Sequence, residues 1–135
     1  MINLDENRLF EECLKAREHS YSPYSNFAVG AVIALKNGNF IYGTNVENAA
    51  YPSGMCAERI AMYTAYAQGY RADDILALAV LGDTKSPISP CAACRQVMVE
   101  LLNLDTPIYL FNLKKEHKIF TVSELVPYLF DKEDL

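Results

Sequence analysis

The sequence is poor in positive charge. Its 12 lysines and arginines stand against 17 aspartates and glutamates, a formal net charge of -5. A nucleic-acid backbone is bound by a basic face, so this balance argues against a polynucleotide partner. No apolar run approaches the roughly 18 residues that a membrane-spanning helix needs, and no membrane partner is expected. The opening MINLDENRLFEECLKAR carries acids early and lacks the basic-then-apolar order of a secretory signal. Linkers, low-complexity stretches and internal repeats are also missing. There are only two histidines, His19 and His117, and four cysteines, at positions 13, 56, 91 and 94. Together these absences predict one domain over residues 1–135 in a reducing, cytoplasmic setting. Cysteines there serve as metal ligands or catalytic groups more often than as disulfides. What is present fits a globular chain: 51% of residues are hydrophobic and 21% charged, against disorder.

The periodicity predicts an amphipathic helix over Asp5 to Arg17, with Leu4, Phe10, Cys13 and Leu14 near helical spacing. A loop follows at residues 21–26. Phe27 to Leu35 is a near-continuous apolar run, read as a buried strand. Asn37-Gly38 is a hairpin signal, with Phe40 to Val46 as the returning strand. Gly43 to Met55 is the longest irregular stretch between patterned segments, and long loops in compact domains are often functional. Ala57 to Gln68 reads as a helix closed by Gly69. Ile75 to Leu81 is a further strand, Ala92 to Leu102 a helix behind Pro90, and Pro107 to Leu113 another buried strand. Thr121 to Glu124 fits a capping box for a short helix stopped near Pro127. The order predicts a three-layer α/β domain with a mixed sheet.

The chemistry concentrates in Cys91-Ala92-Ala93-Cys94, a C-x-x-C at a predicted helix start. Residues three apart share a helix face, and a helix N-terminus favours the thiolate that a metal ligand requires. Cys56 opens the other central helix, in Cys56-Ala57-Glu58-Arg59. Residues two apart on a helix face different ways, so Cys56 is placed at the helix edge and Glu58 inside the same cavity. Three cysteines leave the fourth position of a tetrahedral zinc ion open, as in a catalytic site. Glu58 is then available for proton transfer. Arg59 and the two helix N-termini offset the negative charge of three thiolates around Zn²⁺. The ordered set Cys56-x-Glu58…Pro90-Cys91-x-x-Cys94 matches the three-cysteine form of the zinc nucleobase deaminase signature. Cys13, at an apolar helix position, is expected in the core, and both histidines on the surface.

Four blocks carry a wider resemblance: residues 23–31 (PYSNFAVGA), 45–51 (NVENAAY), 56–59 (CAER) and 89–97 (SPCAACRQV). On these, the chain resembles the small, homotetrameric, three-cysteine cytidine deaminases from about Tyr21 to Phe130. The resemblance implies a three-layer α/β/α sandwich with a mixed five-stranded sheet, one more strand than the residues themselves suggest. It also implies hydrolytic deamination of cytidine and 2′-deoxycytidine to uridine and 2′-deoxyuridine, with one zinc ion per subunit held by Cys56, Cys91 and Cys94. Glu58 would transfer the protons. Asn45 and Glu47 match a pair that binds the ribose 3′-hydroxyl, and Phe27 a residue that stacks on the base. Ala57 and Ser89 match backbone contacts to the base edge. Ala49, Tyr51 and Phe130 match positions that reach a neighbouring subunit's site in a homotetramer. Ala92 and Ala28 stand where many members carry glycine and proline, and residues 114–118 match nothing.

Two other functions fit parts of the pattern. A related zinc deaminase could act on another aminopyrimidine nucleoside such as blasticidin S, although the Asn45–Glu47 pair and the Phe27 block favour an ordinary nucleoside. A non-catalytic structural zinc module would need a fourth protein ligand, from Cys13 or a histidine.

Overall fold

The computed structural model describes residues 4–135. Asp5 caps the first helix, its carboxylate accepting the Asn7 amide at 2.9 Å, and α1 (Glu6–Arg17) buries Leu9, Phe10, Cys13 and Ala16 along one stripe. Two strands follow, β1 (Val29–Leu35) and β2 (Phe40–Thr44). Gly38 takes φ 90° in the turn between them, a conformation glycine adopts without steric cost. Then come α2 (Ala57–Ala67), β3 (Ile75–Gly82), α3 (Ala92–Leu101), β4 (Pro107–Phe111), β5 (His117–Thr121) and α4 (Val122–Leu125).

The five strands form one sheet in the order β2-β1-β3-β4-β5. β1 runs antiparallel to both β2 and β3, β3 and β4 are parallel, and β5 returns antiparallel along β4. β1 and β3 are central and covered on both faces, which is why they read as continuous apolar runs. Alternate residues of β1 divide between two cores. Val32 and Ala34 pack with Leu9, Phe10 and Cys13 of α1. Ala31, Ile33 and Leu35 pack with Ala61 and Met62 of α2 and Met98 of α3. The result is the expected α/β/α sandwich, with α1 alone on one face.

Two glycines set the distances between layers. A Cβ at Gly43 would lie 2.6 Å from the Ala61 amide nitrogen, and one at Gly30 would lie 2.7 Å from that of Arg17. β2 therefore meets α2, and β1 meets α1, at ranges that admit no side chain. The first contact fixes α2, the helix that Cys56 caps.

Several boundaries differ from the sequence expectation. β1 begins at Val29 rather than Phe27, because Asn26 is left-handed (φ 56°) and the Asn45 side chain binds the Phe27 carbonyl and the Val29 amide. β2 ends at Thr44 rather than Val46, and Val46 instead bridges to Tyr21 and Met55. α2 ends at Ala67, with Gln68 as its cap and Gly69 (φ 94°) just beyond. β5, implied only by the resemblance, supplies the fifth strand. Residues 114–118 form its turn and first strand positions, with Asn112 Oδ1 accepting the Lys114 and Glu116 amides at 3.0 and 3.1 Å. Cys13 is fully buried. His19 and His117 are both exposed, and His117 Nε2 lies 3.1 Å from Glu6.

Candidate active site

α2 and α3 start side by side. Cys56 is the N-cap of α2 and Cys91 the N-cap of α3, each in extended conformation just before its helix. Cys94 sits three residues into α3, and its amide donates to the Cys91 sulfur at 3.4 Å. The Cys56 sulfur caps no amide of its own helix. It faces the Cys91 sulfur at 3.9 Å and accepts Arg59 Nη2 at 3.4 Å.

The three sulfurs lie within 4.8 Å of one another and can hold a metal ion. Ligands about 2.3 Å from a tetrahedral zinc would stand about 3.8 Å apart, close to the Cys56–Cys91 separation. The donor chemistry fits equally well. Without a cation the sulfurs must share protons. The neighbouring Cys94 thiol, with Arg59, holds the Cys56 thiol well below its usual range. Cys94, beside Cys56 and buried, is pushed upward. A divalent cation replaces those protons and removes the conflict. Arg59 completes the charge balance, and its buried Nε finds no hydrogen-bond partner among the described residues.

Glu58 is only 5% exposed. Burial is the main cause of its raised pKa, and the charge at Cys56 adds to it. It lines a cavity of about 190 Å³ together with Cys56, Cys91, Phe27, Asn45 and Glu47, and with Ala57 and Ser89. Phe27 reaches this cavity across Gly82, where a Cβ would come within 3.0 Å of Phe27 Cζ and 2.7 Å of Ile88 Cδ1. A larger cavity of about 400 Å³ shares Ser25, Asn45, Glu47 and Cys56 and is lined by Tyr51 and Arg59. The two therefore form a continuous cleft. Ala49 and Phe130 line neither part. Phe130 is 56% exposed, on a backbone held by Gln96 Nε2 at 2.9 Å.

Asn45 and Glu47 are both anchored. Asn45 Oδ1 accepts the Ser20 hydroxyl at 2.6 Å and the Val29 amide at 2.9 Å, and its Nδ2 donates to the Phe27 carbonyl at 2.8 Å. Glu47 Oε1 accepts the Tyr24 and Ser25 amides at 3.0 and 3.1 Å, and Oε2 accepts the Ser25 hydroxyl. Ser89, on the cavity wall, receives Arg95 Nη2 at 2.7 Å. Arg95 also donates to the Pro90 and Leu125 carbonyls, both at 2.9 Å. Ser25, Ile88 and Arg95 were not singled out from sequence. Ser25 and Arg95 lie inside the matched blocks, but their partners are 22 and 30 residues away.

A mixed sheet presenting two helix N-termini, three sulfurs and a buried carboxylate to one cleft defines a metal-dependent deaminase architecture. Residues 4–109 match the family described as the cytidine and deoxycytidylate deaminase zinc-binding region, and the chain belongs to that family. It is 49% identical over 132 residues to a cytidine deaminase from Halalkalibacterium halodurans, covering 98% of each chain. It is 47% identical to a cytidine deaminase from Sporosarcina psychrophila, covering 98% of this chain and 96% of that one. The solved cytidine deaminase from Burkholderia pseudomallei superposes with a TM-score of 0.91 at 42% identity, covering 94% of this chain and all of that one.

Proposed function

We propose that this chain is a zinc-dependent enzyme that hydrolyses cytidine and 2′-deoxycytidine to uridine and 2′-deoxyuridine, releasing ammonia, and that residues 1–135 act as one catalytic domain. A single observation carries the reading. One cleft joins the three-cysteine group and buried Glu58 to an exposed aromatic, Phe27, and to an amide–carboxylate pair, Asn45 and Glu47. That is a centre for water chemistry, a surface for a planar base, and partners for a sugar hydroxyl.

Cys56, Cys91 and Cys94 would hold the zinc, which when bound supplies Lewis-acid activation of water for attack at C4. Glu58 takes one proton from the attacking water and delivers it to ring N3, then takes the remaining proton of the C4 hydroxyl and passes it to the amine, which departs as ammonia while the C4 carbonyl forms. Its burial excludes competing bulk water. Phe27 stacks on the base, backbone groups of Ala57 and Ser89 meet the base edge, and Asn45 with Glu47 takes the 3′-hydroxyl.

The reading extends to assembly. Tyr51 and Phe130 present exposed rings, 78% and 56% accessible, in a chain with a buried core. With Ala49 they would complete the sites of neighbouring subunits in a homotetramer. The reduced thiols of the site suit the cytoplasm, where the reaction would salvage pyrimidine nucleosides. A closed structural zinc site is disfavoured. Among the described residues the metal group holds three sulfurs, and Cys13 lies in the core on the opposite face of the sheet. Relatives named cytidine deaminase at 49% and 47% identity favour cytidine over blasticidin-like substrates.

The test is direct. Purified protein with one zinc per chain should convert cytidine to uridine with one ammonia released per turnover. Full zinc occupancy without turnover would defeat the reading.

A further inference from the structure

We propose that Ser25 is a positioning residue that orients the Glu47 carboxylate, so that the Asn45–Glu47 pair presents one acceptor and one donor to a single sugar hydroxyl. The inference rests on the nucleoside reading of the cleft.

Hydrogen-bonding capacity on the two side chains is nearly used up by the protein itself. An ionised carboxylate offers about four lone-pair sites. On Glu47, two are taken at Oε1 by the Tyr24 and Ser25 amides, at 3.0 and 3.1 Å, and one at Oε2 by the Ser25 hydroxyl. What remains is an acceptor site on Oε2. On Asn45 the carbonyl oxygen already accepts twice, and one N–H of Nδ2 is spent on the Phe27 carbonyl at 2.8 Å. What remains there is the second N–H. Both side chains line the same cleft. An alcohol that donates once and accepts once is satisfied by that pair.

Ser25 decides where the free acceptor points. Its hydroxyl oxygen accepts the Phe27 amide at 3.0 Å while its one proton goes to Glu47 Oε2. Because the oxygen is held from the Phe27 side, the proton has a fixed direction. The turn that brings Ser25 into place is set by Asn26 at φ 56° and by the hydrogen bond its backbone N–H donates to the Ser22 carbonyl at 3.0 Å. Without the hydroxyl, Oε1 keeps its two amides while Oε2 loses the contact that fixes its orientation. The carboxylate can then twist, and the acceptor no longer faces the substrate.

The experiment crosses enzyme variant with substrate. For zinc-loaded wild type, Ser25→Ala and Ser25→Thr, kcat/KM is measured on 2′-deoxycytidine and on 2′,3′-dideoxycytidine, which lacks the 3′-hydroxyl. Ser25→Ala should lower the wild-type preference for the hydroxylated substrate by about tenfold, through KM rather than kcat. Ser25→Thr, which keeps the hydroxyl, should retain that preference. If Ser25→Ala depresses both substrates in parallel and leaves the ratio unchanged, the residue only supports the loop and the proposal is overturned. If zinc-loaded wild type turns over neither substrate, the nucleoside reading itself falls, a result distinct from the first.

Discussion

Arg59 donates through Nη2 to the sulfur of Cys56 at 3.4 Å, from within the first turn of the helix that Cys56 caps. The pairing places a fixed positive charge against three sulfurs whose charge, as thiolates, a divalent cation would not fully cancel. It also ties the N-cap sulfur of α2 to that helix's own first turn, so ligand and counter-charge move as one body.

Removing that charge should weaken the metal site without unfolding the protein. Arg59→Gln is expected to lower zinc affinity by about 10–100-fold, the usual effect of losing a partner of a metal ligand. Competition with a chromophoric chelator reads the affinity, and circular dichroism checks the fold. Unchanged affinity would show that the two helix N-termini suffice to balance the thiolates.

Glu12, Arg8, Lys15 and Tyr42 lock α1 to β2. The Tyr42 hydroxyl donates to Glu12 at 2.6 Å, with Arg8 and Lys15 at 2.8 and 3.1 Å. Burial works to raise the Glu12 pKa, but the bonds from Tyr42, Arg8 and Lys15 outweigh it and leave the group below its ordinary 4.5. Its contribution to stability is therefore present above pH 4.5 and lost as pH falls through the lower folded value. Tyr42 behaves oppositely. Burial and Glu12 push it from 10 to about 12, so its contribution holds below pH 10 and is lost as pH rises toward 12. Tyr42→Phe should cost about 1–3 kcal/mol near neutral pH, by leaving a buried carboxylate short of a donor, and should remove the alkaline loss. Thermal unfolding across pH checks both.

Gly43→Ala tests the spacing of β2 and α2. The added Cβ would lie 2.6 Å from the Ala61 amide nitrogen and 2.9 Å from its Cβ. The helix must shift, at a cost of about 1–3 kcal/mol, carrying Cys56 and Glu58 with it. A lower melting temperature together with weaker zinc retention is expected. A stability loss with normal zinc retention would place the adjustment elsewhere.

If sites are shared between subunits, damage at different positions should be complementable. Glu58→Gln subunits keep Phe130, and Phe130→Ala subunits keep Glu58. Mixed assemblies should deaminate cytidine faster than the two homo-assemblies combined. Simple additivity would mean that each chain closes its own pocket.

The metal centre was legible in the sequence because its geometry is local. Cys91 and Cys94 share a helix face, and the two-residue step from Cys56 to Glu58 forces the cysteine onto the helix edge, where the structure has it as N-cap. The central strands were legible because burial on both faces leaves continuous apolar runs such as residues 29–35. β5 was not, since His117 and Lys118 are exposed and the strand pairs along one edge only, so it carries no apolar run. The start of β1 was misplaced because one distant side chain, Asn45, binds the backbone there, and the end of β2 because Val46 pairs with Tyr21 and Met55 instead of β1. The Ser25–Glu47 and Glu12–Tyr42 contacts join residues 22 and 30 positions apart, and no local pattern encodes them.

Glu58 is proposed as the proton carrier beside a metal centre that does not need it as a ligand. The most direct measurement is the rate of cytidine conversion to uridine by wild type and by Glu58→Gln, at one zinc per chain in both. The expected result is turnover by wild type, a loss of about 10²–10⁴-fold in the variant, and equal zinc content. Loss of zinc on that substitution, or a variant as active as wild type, would contradict the assignment.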